Sequence, residues 1–202
     1  MALDYPTSTI HWNYFLTLEE DFGVVTRYIE PCKENEKTFS IELSRLIMAS
    51  TQEADVLLKS LCGNISPGDK SASIKKYHQV LRTHSPQIFD TEVFLERYQI
   101  STKPFLEWSE NSSPEWWTAN NKIKHHRSTE FSRATLANAV GSISALLVLN
   151  LYFWKSEFER INKKNIAWFK VTESLVPESK YFYMEREFYQ QTVVFGSKEW
   201  WE

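Results

Sequence analysis

The longest uncharged stretch, ATLANAVGSISALLVLNLYFW at residues 134–154, restricts the fold more than any other feature of the chain. Its length and apolar composition fit either a membrane span or the central helix of a bundle. Two asparagines and two serines interrupt the stretch, and charged residues follow it directly from Lys155. This polarity favours a buried core helix, so the sequence predicts a helical bundle and no membrane partner.

Further helices are predicted along the rest of the chain. Apolar residues recur at steps of three and four at residues 11–30 and 38–62, which is the spacing of amphipathic helices. A shorter helix is expected at 73–82, and a Ser-Pro-Glu start signal opens another at 114–126. The uncharged stretch belongs to a helix at 132–160. Low glycine and proline contents, five and seven residues, also favour helices over a turn-rich sandwich.

The remaining segments are less regular. Residues 85–113 contain prolines and a polar run, so we expect irregular structure that wraps the core and is anchored by Trp108. Residues 180–196 are aromatic and β-branched with partial alternation, which predicts a short hairpin or strand-like arm. The predicted fold is therefore mostly α: a bundle of four to five helices at residues 1–165, with a small β-like aromatic arm at 166–202.

Charge and cysteine content limit the function. The net charge is −3 over 202 residues, so nucleic-acid binding would depend on a local basic patch. Cys32 and Cys62 form no close-spaced metal motif, and the N-terminus lacks the features of a signal peptide. A reduced, cytoplasmic protein is expected. No glycine-rich phosphate loop or nucleophile elbow is present in the sequence, and neither a cofactor nor a metal is predicted.

The densest group of functional side chains is NKIKHHR, which begins at Asn121. On a helix, Asn121, Lys124 and His125 would share one face, because residues three and four apart are neighbours. Lys124 and Arg127 would bind a phosphate, while His125 or His126 would act as acid or base near neutral pH. Cleavage of RNA by its own 2′-hydroxyl needs a base, an acid and cations that hold the phosphate, and no metal.

The same cluster also has a purely structural interpretation. Lysine, arginine and histidine are favoured in the last turn of a helix because they complement its dipole. On this interpretation the cluster bonds to Glu42 or Glu53 of the second long helix. The aromatic arm, residues 181–201, would then recognise a protein partner, and the chain would be a non-catalytic interaction or scaffold module.

The region SPEWWTANNKIKHHR, followed by STEFSRATLANAVGSISALLVLNLYFW, resembles a bacterial group within the HEPN superfamily. The upstream segments HWNYFLTLEEDF and FSIELSRLIMASTQEADVLLKSLC fit the same pattern, so the resemblance covers roughly residues 11–155. It implies a helical bundle, commonly a homodimer, that binds or cleaves RNA without metal in phage defence or toxin–antitoxin pairs. The implied site consists of Asn121, Lys124, His125 and Arg127, and it faces a second protomer.

One part of the HEPN pattern is absent. HEPN nucleases carry an arginine and a following histidine with four to six residues between them, and no arginine of this chain has a histidine at that spacing. Here His125 and His126 come before Arg127. The resemblance therefore leaves two functions open, RNA cleavage and RNA binding without cleavage.

Overall fold

The computed structural model describes residues 9–68 and 73–190. These residues form seven α-helices and a three-stranded antiparallel sheet. The helices are α1 (Ile10–Val25), α2 (Ile41–Ile65), α3 (Ile74–His84), α4 (Glu115–His125), α5 (Arg127–Glu130), α6 (Leu136–Asn162) and α7 (Trp168–Ser174). The strands are β1 (Val93–Leu95), β2 (Ile100–Thr102) and β3 (Tyr183–Met184). The predicted mostly-α fold is confirmed, with more helices than the four to five expected.

Helices α2 and α6 form the centre of the bundle, and α1 and α4 each pack against both of them. The Ser50 hydroxyl of α2 donates a hydrogen bond to the Ser142 hydroxyl of α6 at 2.8 Å, deep between the two helices. Among the described residues, α6 alone has the length and hydropathy of a membrane span, and 89% of its most apolar window is buried. The uncharged stretch is thus the core helix of this bundle.

The starts of the two central helices differ from the predicted boundaries. Ser40 caps α2 by accepting the Leu43 N–H at 3.1 Å, which satisfies a donor that a helix start leaves free. Phe39 therefore lies outside the helix, where it pairs with Thr135 in an isolated β-bridge. Thr135 in turn caps α6. The two helix starts are consequently tied together at one end of the bundle.

The segment at residues 85–113 is more ordered than the sequence indicates, because it contains β1 and β2. Trp108 is buried, as predicted. Strand β1 is central, and Val93 pairs with Thr102 of β2 and with Met184 of β3. The C-terminal arm thus adds a strand to this sheet, which fits the predicted strand-like arm and not the alternative of a hairpin within its described part. Residues 191–196 of that prediction lie outside the described residues.

A buried carboxylate fastens the C-terminal segment to α1. Glu19, 1% exposed, accepts hydrogen bonds from the Ser179 hydroxyl and from the backbone N–H groups of the next three residues. Burial of a carboxylate is costly unless hydrogen bonds replace its water. One turn further along α1, a Cβ on Gly23 would lie 2.8 Å from the Tyr181 hydroxyl. Both α1 positions are therefore shaped to receive the segment after Pro177.

Candidate nucleic-acid interface

The buried face of α4 positions the NKIKHHR cluster. Trp116, Ala119 and Ile123 are buried against the bundle, and the Trp116 indole N–H donates to the Pro104 carbonyl at 2.8 Å. Gly141 of α6 leaves room for this indole, since a Cβ there would lie 3.4 Å from the Trp116 ring. With one face fixed in this way, the opposite face of α4 projects into solvent.

The helix breaks inside the cluster. Helix α4 ends at His125, His126 is non-helical, and α5 begins at Arg127. Adjacent residues of a regular helix point about 100° apart. The break at His126 instead lets both histidines line the same depression. Arg127, directly after the break, contacts Ser44 of α2.

The depression beside the two histidines is shallow and has a volume of about 300 Å³. Its lining contains no carboxylate; the residues that form it are Ser113, Thr118, Asn121, Lys122, His125 and His126. The structure thus brings together three of the predicted site residues and leaves out Lys124 and Arg127. Sequence reasoning missed Lys122, although Thr118, Lys122 and His125 are spaced by four and three residues, which places them on one helix face.

Arg127 lies on the side of the cluster that faces α2. Its Nη2 donates to the Ser44 hydroxyl at 3.0 Å and to the Met48 sulfur at 3.6 Å. The guanidinium also lies 5.8 Å from the centre of the Phe131 ring. These partners are neutral, and Arg127 forms no ion pair within the described part of the chain.

The exposed lysines of the cluster also form no ion pairs within the described residues. The side chains of Lys122 and Lys124 are exposed and make no hydrogen bond or ion pair in the ranges that the structure describes. The two carboxylates proposed to neutralise them have other partners: Glu42 bonds to Arg45 at 2.8 Å, and Glu53 bonds to His11. The predicted pairing of the cluster with Glu42 or Glu53 is therefore wrong.

The carboxylates that flank the cluster in the sequence form ion pairs with a different arginine. Between residues 114 and 133, four Lys or Arg residues stand against two carboxylates, Glu115 and Glu130. Arg133 pairs with both, at 2.9 and 2.7 Å. The hydrogen bond from Arg133 lowers the pKa of Glu130, and charges of the cluster lower that pKa further. The local excess of positive charge therefore falls on the cluster itself.

The fold and this surface define a class: a mostly helical protein that exposes an unpaired basic cluster with two histidines at a helix end. Comparisons with family models, with curated proteins and with solved structures found no match. Within residues 9–68 and 73–190, no group of three or more His, Cys, Asp or Glu side chains is arranged to hold a metal ion. The geometry of the cluster is therefore the basis for assigning a function.

Proposed function

We propose that this protein is a HEPN-like, cytoplasmic RNA-binding protein whose RNA site is the exposed end of α4. The observation that carries the proposal is that Lys122, Lys124 and Arg127 form no ion pair with a carboxylate in the described part of the chain. Elsewhere on the bundle, Arg45 and Arg160 are paired with carboxylates. Unpaired cations on one surface release counterions when they bind phosphates, and this release provides most of the affinity for a nucleic-acid backbone.

Cleavage of the bound RNA is the second step of the proposal, and it requires no metal. His125 or His126 removes the proton from a 2′-hydroxyl, whose oxygen attacks the neighbouring phosphorus. The bond from phosphorus to the 5′-oxygen breaks, and the other histidine protonates that oxygen. Lys122 holds the phosphate beside the histidines and Asn121 orients it, while Lys124 and Arg127 hold neighbouring phosphates.

The resemblance to HEPN proteins extends the proposal to assembly and biology. The protein would act as a homodimer in which the ends of α4 from two protomers face each other. Its role would lie in bacterial phage defence or in a toxin–antitoxin pair. Expression of the wild-type chain would then slow bacterial growth, and the double variant His125→Ala with His126→Ala would not.

A non-catalytic interaction module is the second candidate, and exposed apolar side chains favour it. Ile41 and Phe39, 70% and 50% exposed, stand at the start of α2, and the Phe39 ring contacts Phe131. Exposed apolar groups of this kind mark protein-binding surfaces when they are contiguous. The described part of the C-terminal arm is docked on its own bundle, so in this candidate the partner surface includes the start of α2.

The binding step is tested by fluorescence anisotropy with labelled single-stranded RNA. Lys122→Ala combined with Lys124→Ala should weaken binding at least tenfold and reduce the slope of log affinity against log salt by about 1.4, for two lost phosphate contacts. The matched control is Lys75→Ala combined with Lys164→Ala, which removes the same charge from exposed positions elsewhere. Equal losses in the two double variants would refute a specific site at α4.

The cleavage step is tested separately with end-labelled RNA in the presence of a chelator. Wild-type protein should produce fragments that end in a cyclic phosphate. The variant His125→Ala with His126→Ala should bind the RNA with unchanged affinity and leave it intact. Intact RNA with the wild-type protein would restrict the function to binding.

A further inference from the structure

A more enclosed cavity of about 230 Å³ lies between the bundle and the C-terminal segment. It shares no lining residue with the depression at the end of α4. Three aromatic residues line it, Trp12 from α1, Tyr183 from β3 and Tyr189. Ligand pockets for drug-sized molecules measure roughly 300–1,000 Å³, so this cavity suits a smaller compound.

The aromatic walls are already in place without a ligand. The Trp12 ring stacks on Phe15 at 5.0 Å between centroids, and its indole N–H donates to the Pro177 carbonyl at 3.0 Å. The Tyr189 hydroxyl accepts the Met184 N–H at 3.1 Å. The polar atoms of these two side chains thus have protein partners, and their apolar ring surfaces remain as the cavity lining.

The charge around the cavity is negative. Glu173 and Glu178 line it, and no Lys, Arg or His does so within the described residues. Glu173 is partly offset by Lys170 at 2.9 Å, whereas Glu178 makes no ion pair in the part of the chain that the structure describes. Aromatic rings carry negative charge on their faces, so the rings and the carboxylates attract the same kind of ligand.

A third carboxylate, that of Glu19, lies behind the lining residue Ser179 and adds negative charge near the cavity. Glu19 bonds to the hydroxyl of Ser179, which lines the cavity, and its hydrogen-bond partners are neutral groups. Burial raises the pKa of Tyr189 to about 12, and Glu178 and Glu19 both add to this increase. Burial likewise raises the pKa of Tyr183, with added effects of Glu19 and Glu178. Both tyrosines therefore experience the negative potential of the surrounding carboxylates.

We propose that this cavity binds a small organic cation of the methylated-ammonium class, between the aromatic side chains and Glu178. A quaternary ammonium group has no N–H to donate and is bound well by aromatic rings with a nearby carboxylate. A primary ammonium has three N–H donors that need acceptors, and a metal ion needs several oxygen ligands in fixed positions. This proposal is independent of RNA binding at α4 and would stand without it.

The experiment compares two probes of nearly equal shape by ligand-observed NMR titration of the full chain. Choline carries the quaternary ammonium, and 3,3-dimethylbutan-1-ol is its neutral carbon counterpart. We expect choline to bind about threefold to thirtyfold more tightly than the alcohol, which is the range of cation–π contributions. Equal affinities, or no binding of choline, would overturn the proposal.

Variants then assign the binding to this cavity. Glu178→Gln should weaken choline binding several-fold and leave binding of the alcohol unchanged, and Tyr183→Leu should also weaken choline binding. The control is Glu185→Gln, another exposed carboxylate of the same segment that does not line the cavity. Loss of choline binding in Glu185→Gln equal to that in Glu178→Gln would show general surface attraction and would contradict a defined site.

Discussion

The bond between Glu19 and the C-terminal segment should be a major contribution to stability. Replacement by alanine would leave the Ser179 hydroxyl and the N–H groups of Lys180 and Tyr181 without their acceptor. Each buried donor without a partner costs roughly 1–3 kcal/mol. Three such donors would cost roughly 3–9 kcal/mol. Because the segment can relax and admit water, we expect a total loss near the lower end of this range, about 3–5 kcal/mol.

The assay is urea unfolding followed by circular dichroism, with the neighbouring residue as control. Glu20 is 67% exposed on its side chain and reaches Lys180 at 3.4 Å, so Glu20→Ala should cost less than about 0.5 kcal/mol. Glu19→Gln keeps one acceptor oxygen, so its loss of stability should lie between those of Glu19→Ala and Glu20→Ala. Hydrogen exchange of the Tyr181 amide should accelerate in Glu19→Ala only. If Glu19→Ala and Glu20→Ala unfold at the same urea concentration, the buried carboxylate does not fasten the segment.

Three further predictions concern stability and pH. Gly23→Ala should destabilise the fold, because the new Cβ would lie 2.8 Å from the Tyr181 hydroxyl. At Gly63 a new Cβ would meet no atom within 4 Å, so Gly63→Ala should stabilise α2 by about 0.5–1 kcal/mol. Urea unfolding measures both changes. Burial raises the pKa of Tyr189 from 10.0 to about 12, so the neutral tyrosine stabilises the folded state fully below pH 10. This stabilisation should be lost as the pH rises to about 12. In the Tyr189→Phe variant, which cannot ionise, this loss of stability at high pH should be absent. Burial lowers the pKa of His78 from 6.5, so stability should fall below pH 6.5, and His78→Leu should reduce that slope in acid titrations.

The long helices were predictable because their signals are local. An uncharged run bounded by charged residues indicates a core helix, and α6 is that helix. A Ser-Pro-Glu start signal likewise predicts α4, which the structure places at Glu115–His125. Strands β1 and β2 were not predicted, because each has only three residues. Strand β3 lies inside the predicted strand-like arm, but its pairing with β1, far away in the sequence, was not predicted. Periodicity needs longer segments to be recognised.

The candidate site was predicted in composition but not in geometry. The sequence identifies NKIKHHR as the densest functional cluster, and the structure exposes most of it. Next to the break at His126, Arg127 reaches Ser44, a contact across 83 positions that no local pattern shows. The same holds for Glu19, whose partner Ser179 is 160 positions away. The position of Glu19 on the apolar face of α1 was the one sequence signal that this carboxylate is buried.

The central claim is that RNA binds at the end of α4, and lysine footprinting tests it most directly. Exposed lysines are acetylated with and without single-stranded RNA, and the extent of modification is measured by mass spectrometry. RNA bound at the end of α4 should protect Lys122 and Lys124 and leave Lys75 and Lys164 fully reactive. Equal protection of all four lysines, or no protection at Lys122 and Lys124, would contradict it.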